Sequence, residues 1–527
     1  MRKIKIFFNS MLGGLFILMA SCSPETEYDI LITNGFVFDG AGNPWVYSDI
    51  GIIDDEIVAM GKLRNVPSKR TIDASGLFVT PGFIDPHSHA AGGLSSAELS
   101  HAQPILAQGV TTLITNPCGG GPVDLESQRE NLLEHGLGVN VGQLVPHGSI
   151  RRAVIGNEDR EATPEEIEEM KSLVREAMEY GAFGLSTGLF YTPGIYAPTS
   201  EIIELSKVVA EYGGVHQSHI RDESNYTIGV VGSVQEVIDI SEASGVTGIV
   251  THIKALGPPV WGASEEIVRM IGEARERGLE IFTDQYPYHA SATSMIAAII
   301  PTWAREGGTG ELRKRLSDPD LREKIREGTI ENLERRGGAD RLQFRRFSAD
   351  PSIEGRTLEE VANEMNLDPV ETSFELIMEG SPSVVSFNMN DEDIARFMTR
   401  SWNMTSSDGG LVKMGEGVPH PRNYGTFPRR IRKYVFEEEL QDIEDAIRSM
   451  TSLTSTVFGI NDRGVLRPGM KADIAVFDPA RITDRAIFTD PHQLSEGMVY
   501  VIVNGIPAID NGEFTGELSG NVLKKGK

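Results

Sequence analysis

Thr112-Leu113-Ile114-Thr115-Asn116-Pro117-Cys118-Gly119-Gly120-Gly121 is an apolar run that stops abruptly in a glycine loop. A buried parallel strand delivers its last residue to the mouth of a barrel in this way. Upstream, a second apolar run ends in Pro81-Gly82-Phe83-Ile84-Asp85-Pro86-His87-Ser88-His89. Downstream, Ser218-His219-Ile220-Arg221-Asp222-Glu223, Thr251-His252-Ile253-Lys254 and Ser406-Ser407-Asp408-Gly409 repeat the arrangement. One thiol, several imidazoles and a carboxylate, all at strand ends, read as the site of a metal-dependent hydrolase.

The chain between these segments alternates helices and strands. Thr163-Pro164-Glu165-Glu166 supplies a capping residue, a proline at the first helical position and early acids. Ile167, Met170, Leu173, Val174 and Met178 then keep one face apolar until Gly181 stops the helix. Further helices are expected over 201–212, 234–243 and 265–277, leading to strands over 215–219, 248–252 and 281–284. Repeated βα units of this kind predict a TIM-like (β/α)8 barrel over 81–455, with its site at the C-terminal strand ends. The alternation breaks from about 302 to 380, a stretch rich in Arg and Glu that reads as a helical insertion covering the mouth. It resumes with a strand at 383–387, a helix at 391–399 and a strand at 403–406. Short β-rich runs with Asn-Gly and Asp-Gly turn signals fill 28–80 and 456–520. Together they predict one small β-sandwich built from both termini.

The length of 527 residues accommodates such a barrel and satellite. A net charge of −27 argues against nucleic acid as a partner, because phosphate binding needs clustered Lys and Arg. Arg2, Lys3 and Lys5 precede an apolar stretch from Met11 to Ala20, followed by Ser21-Cys22. That pattern is similar to a bacterial lipoprotein signal over 1–21, with Cys22 lipidated and 22–27 as a tether. The expected location is the bacterial cell envelope outside the cytoplasm, periplasm or cell surface, touching the membrane only through the anchor. A disulfide between Cys22 and Cys118, the two cysteines of the chain, would join a tether to a barrel mouth and is not expected.

Residues two apart on a strand share a face, so His87 and His89 can grip one ion. Cys118 offers a thiolate, and His219 and His252 each end a strand. Three ligands from separate strands with an open fourth position make a catalytic Zn2+ site. Asp408, at the end of the last barrel strand, is placed to move a proton between water and a leaving amine. His147 reads as a loop or supporting residue and His101, His135 and His492 as surface positions, while His216 and His420 are left open.

Taken together these motifs resemble the amidohydrolase superfamily and, within it, the N-acyl-D-amino-acid deacylases (D-aminoacylases). The likeness also rests on Gly184-Leu185-Ser186-Thr187-Gly188-Leu189-Phe190-Tyr191-Thr192-Pro193-Gly194, Tyr286-Pro287-Tyr288 and Pro421-Arg422-Asn423-Tyr424-Gly425-Thr426-Phe427-Pro428-Arg429. The resemblance implies a zinc-dependent enzyme that cleaves N-acyl-D-amino acids into a carboxylate and a free D-amino acid. It implies one tightly bound Zn2+ on Cys118, His219 and His252, and a weaker second position on His87 and His89 sharing Cys118. It makes Asp408 the catalytic base and Arg422 the holder of the substrate carboxylate, assisted by Lys254, Tyr286 and Tyr191. Ala90, Ile253 and Ala292 depart from the family's pattern. A dipeptidase or cyclic-amide hydrolase of the same superfamily is the alternative activity, and a non-catalytic zinc-containing binding lipoprotein is the remote one.

Overall fold

A computed structural model describes residues 27–63 and 66–526. Cys22 and the expected signal segment lie outside the described residues. Eight parallel segments in chain order make the central layer: Phe83–Asp85, Val110–Thr115, Asn140–Gln143 continued by Val145–Pro146, Gly184–Gly188, Val215–His219, Thr247–Val250, Ile281–Gln285 and Asn403–Thr405. Each pairs in parallel with its sequential neighbour. Beyond the eighth segment, Gly409–Gly410 pairs in parallel with Ser88–His89, which brings the last strand beside the first. All six residues of Val110–Thr115 are buried, as a strand covered on both faces requires. The architecture is a TIM-like barrel with an additional β-sandwich.

The helices follow their sequence signals. Pro164–Tyr180 carries a reciprocal capping box between Thr163 and Glu166 and ends on Gly181 at φ 115°. Thr199–Glu211 and Ser264–Glu276 match expectation within two residues. Gly229–Ser244 starts five residues before the expected 234. Asp222 causes this, because its carboxylate accepts the backbone N–H groups of Thr227 and Gly229 and so anchors the helix start from outside it.

The strand expected at 383–387 is a correction. Ser383–Ser386 is the central strand of an antiparallel sheet between Ser291–Ser294 and Leu342–Arg346, outside the barrel. Four apolar-centred residues carry no periodicity that separates a barrel strand from a strand of another sheet. The insertion is therefore mixed: its helices Thr309–Leu316, Pro319–Arg335, Leu358–Met365 and Pro369–Glu379 pack on this sheet around Leu342, Phe344, Phe374 and Val384.

Outside the barrel, a four-stranded sheet from Tyr28–Thr33, Asp49–Ile53, Glu56–Gly61 and Ser68–Asp73 faces a seven-stranded sheet drawn from both ends of the chain. Ile30, Ile52 and Ile72 of the first sheet bury against Val79, Ile474 and Ile502 of the second. Ile474–Phe477 pairs antiparallel with Phe78–Pro81, so the C-terminal sheet is fastened directly before the first barrel strand. No helix among the described residues is long and apolar enough to cross a membrane.

Candidate active site

The residues singled out from the sequence meet at the C-terminal ends of the barrel strands. His87 and His89 follow the first strand, Cys118 the second, His219 ends the fifth, His252 follows the sixth and Asp408 the eighth. Three of them leave their strands in the left-handed region: Cys118 at φ 53°, His252 at φ 34° and Asp408 at φ 48°. For residues with a Cβ this costs about 1–2 kcal/mol each, and strain of this kind collects where the chain must aim a side chain. The fit is tight at Cys118. A Cβ on Gly188 would lie 2.2 Å from the Cys118 carbonyl oxygen, so only glycine lets the fourth strand pass beneath that loop.

Cys118 Sγ lies 3.4 Å from His87 Nε2, 3.6 Å from His219 Nδ1 and 3.7 Å from His252 Nε2. A tetrahedral zinc with Zn–S near 2.3 Å and Zn–N near 2.0 Å holds its sulfur and nitrogen ligands about 3.5 Å apart. Each sulfur–nitrogen spacing matches that value, and the ligand atoms of His87, Cys118 and His252 lie within 4.8 Å of one another. Ligand atoms of His87, His89 and Asp408, and of His219, Glu223 and His252, also gather closely enough to hold metal. Burial opposes a charged Cys118, but the His87 charge and hydrogen bonds from His219, His252 and His87 outweigh it and hold the thiol well below its usual range.

Supporting residues fix the rings. Thr251 Oγ1 donates to Asp284 at 2.5 Å and lies 2.6 Å from His87 Nδ1. Its single hydrogen goes to the carboxylate, so His87 donates from Nδ1 and the ring is held with Nε2 facing Cys118. Asp284 also accepts the His252 backbone N–H and the Ser406 hydroxyl. Glu223 Oε1 lies 3.0 Å from His252 Nδ1 and accepts from Lys254 Nζ at 2.5 Å. Asp85 accepts the backbone N–H groups of His87 and Ser407, tying the first and last strand ends together.

Asp408 is the centre of charge. Its Oδ1 lies 3.4 Å from His87 Nε2 and 3.2 Å from His89 Nε2, and its Oδ2 lies 2.8 Å from Arg422 Nη1. Burial raises its pKa, yet Arg422, His252, His87 and His89 together hold the carboxyl well below the usual range. Arg422 opens the helix Arg422–Arg429 and is oriented by His420, whose Nδ1 accepts the Arg422 backbone N–H at 3.0 Å. The ion pair does not satisfy the guanidinium. Nη1 is taken by Asp408, but Arg422 Nε and the Tyr286 hydroxyl are buried without a hydrogen-bond partner. The Arg422 guanidinium sits 4.7 Å above the Tyr286 ring, with Lys254 Nζ 5.7 Å from the same ring. All three, with Tyr191, line a cavity of about 560 Å³ that opens onto Cys118, His219, His252 and Asp408.

Other histidines take structural places. His147 bonds buried Glu201 at 2.8 Å, and His216 bonds Thr187 at 3.0 Å with burial pulling its pKa down to about 3. His492, expected at the surface, is partly buried and bonds Tyr424 at 2.8 Å. Sequence reasoning gave no role to Glu223, Asp85, Asp284 or His420. Glu223 stands inside the quoted Ser218–Glu223 motif, where an acid four residues after a ligand was the available signal.

Comparison with known proteins finds relatives along nearly the whole chain. Residues 70–509 match the model of the Amidohydrolase family. A D-aminoacylase of Alcaligenes xylosoxydans xylosoxydans is 32% identical over 96% of this chain and 99% of its own length. An N-acyl-D-glutamate deacylase of the same organism is 31% identical over 91% of this chain and 93% of its own. The crystal structure of an N-acyl-D-glutamate deacylase from Bordetella bronchiseptica, complexed with zinc and a phosphonate inhibitor, superimposes with a TM-score of 0.82 at 30% identity. That match covers 95% of this chain and all of the other. The metal-binding cluster at the strand ends is thus set in the barrel its relatives share, and the chain belongs to the amidohydrolase family.

Proposed function

We propose that the protein is a zinc-dependent N-acyl-D-amino-acid deacylase, hydrolysing the amide bond to give a carboxylate and a free D-amino acid. The observation that carries the reading is one cavity with two fittings. A thiol and imidazoles at zinc spacing stand at its floor, and a guanidinium with an unpartnered Nε stands with a tyrosine hydroxyl at its side. The relatives named above, which act on N-acyl-D-amino acids by name, support the substrate class. Cys118, His219 and His252 would hold one tight Zn2+, with His87 and His89 offering a weaker second position.

Zinc held there supplies Lewis acidity to an amide carbonyl and acidity to water. Arg422 fixes the substrate α-carboxylate by two parallel hydrogen bonds, and Tyr286 and Lys254 complete that pocket. Drawing Arg422 toward the substrate loosens its hold on Asp408, whose carboxylate then accepts the proton of the attacking water. Asp408 returns that proton to the departing nitrogen, so the base is regenerated each turnover. Tyr191 and Phe190 wall the cavity beside His219 and limit water around the reacting bond.

The test is a panel of N-acetyl-D-amino acids, N-acetyl-L-amino acids, dipeptides and cyclic amides offered to zinc-loaded protein. Hydrolysis of the D-series is expected; faster turnover of dipeptides, cyclic amides or the L-series would replace this reading. We also propose that Cys22 carries a lipid anchor outside the cytoplasm, supported by the basic start and the apolar stretch ending in Ala20-Ser21-Cys22. Cys22→Ser should release the protein into the soluble fraction, and unchanged membrane fractionation would remove the anchor.

A further inference from the structure

The active-site cavity is lined by two more cations than its carboxylates match, Arg336 and Arg345. Its two buried carboxylates are matched: Asp408 by Arg422 and Glu223 by Lys254. Arg345 lines the same cavity, and its guanidinium has no ion pair and no hydrogen bond among the described residues. Arg336 also reaches the cavity; its Nε donates to the Ala298 carbonyl and its head leans on the Tyr226 ring, while its Nη1 is buried without a hydrogen-bond partner.

Arg345 is aimed by a local irregularity. It falls in Leu342–Arg346, where the register against Ser383–Ser386 slips between Phe344 and Arg346. A bulge inserts an extra residue and re-aims a side chain, and bulges gather beside active sites. Phe344 points into the insertion's own core and Arg346 pairs with Glu416, while Arg345 between them faces the cavity. Burial, with repulsion from Arg422, outweighs the attraction of the Asp408 carboxylate and lowers the Arg345 pKa to about 10. An unpaired guanidinium in such a place is costly unless an anion arrives to share it. The wall beside it is hydroxyl-bearing, with Ser291, Thr293, Ser294 and Ser383 where a receptor for an aliphatic side chain would present apolar groups.

We propose that Arg345 receives a second carboxylate, so that the preferred substrates are N-acyl derivatives of acidic D-amino acids. The proposal rests on the deacylase reading for where the first carboxylate goes. Arg422 takes the α-carboxylate, and Arg345 takes the one on the side chain.

The test compares N-acetyl-D-glutamate and N-acetyl-D-aspartate with N-acetyl-D-glutamine and N-acetyl-D-leucine, using the zinc-loaded full chain and its Arg345→Gln and Arg345→Lys variants. A charge-assisted pair predicts an acidic-over-neutral ratio in kcat/KM on the order of tenfold to a hundredfold. Arg345→Gln should erase that ratio, mainly through KM, and Arg345→Lys should restore part of it. A wild-type protein that favours glutamine or leucine overturns the proposal without any variant, and so does an Arg345→Gln variant that slows all four substrates equally. Calorimetric binding of N-acetyl-D-glutamate against N-acetyl-D-glutamine separates the two readings. Tighter glutamate binding that Arg345→Gln abolishes, with no hydrolysis of any substrate, keeps the anion subsite and defeats the deacylase reading. Equal binding of the two defeats the subsite.

Discussion

Two buried carboxylate–guanidinium pairs lie at opposite ends of the barrel strands, and they are built for different ends. At the N-terminal end of the third strand, Asp473 accepts from Arg463, from Asn140 at 3.1 Å and from the Asn504 backbone at 2.7 Å. Asn504 in turn donates to Asn140 at 2.8 Å, and none of these four side chains has an unpartnered buried atom. That network joins the barrel to the C-terminal hairpin and leaves nothing for a ligand. At the C-terminal ends, Asp408 and Arg422 form an ion pair through Nη1, yet the buried Arg422 Nε has no hydrogen-bond partner and the side chain lines a cavity. Their titration differs accordingly. Burial dominates at Asp473 and raises its pKa, whereas the guanidinium and imidazoles around Asp408 overcome burial and lower it. A complete network holds a fold together; an incomplete one facing a cavity is arranged to receive something.

The sharpest way to break this contrast is Asp408→Asn. Zinc content should stay near the parent's while kcat falls on the order of 10³-fold, the scale of a lost general base. Retained turnover would remove Asp408 from the chemistry. At the other end, Asp473→Ala should leave Arg463 with weakened compensation and lower stability by about 3 kcal/mol. Thermal unfolding would read that loss, and kcat below the melting range should match the parent. A stable Asp473→Ala protein with poor turnover would reverse the comparison. Arg422→Lys replaces a fork by a point charge and should raise KM about thirtyfold, roughly 2 kcal/mol, with a smaller change in kcat. Equal binding of substrate by this variant would move the carboxylate elsewhere. The smallest effect is expected from Gly188→Ala, whose added methyl pushes on the Cys118 carbonyl. Zinc affinity should fall about tenfold, the scale of disturbing a ligand's support, and a metal titration against a chromogenic chelator would read it.

Much of this was legible before any coordinates. The strand-end residues declared themselves because each closes an apolar run with a chemically distinctive side chain, and His87, His89, Cys118, His219, His252 and Asp408 do converge. Pro164–Tyr180 was readable because capping box, proline and terminal glycine all act within a few residues. The insertion sheet was not. Its three strands are separated by 47 and 36 residues of other structure, and Ser383–Ser386 carries no mark of which sheet it joins. Arg345 was invisible for a related reason: a bulge is a property of pairing between distant segments, and the local sequence there is only one charged residue among many. Glu223 and Asp284 were missed because their role is to orient other side chains, which depends on distances that spacing along the chain does not encode.

The central claim is that a thiolate from Cys118 and imidazoles from distant strands bind one catalytic zinc. X-ray absorption at the zinc edge, on protein carrying one equivalent of metal, tests it most directly. The account predicts one sulfur neighbour at about 2.3 Å beside nitrogen and oxygen neighbours near 2.0 Å, with the sulfur lost in Cys118→Ser. A wild-type spectrum showing only nitrogen and oxygen would contradict it.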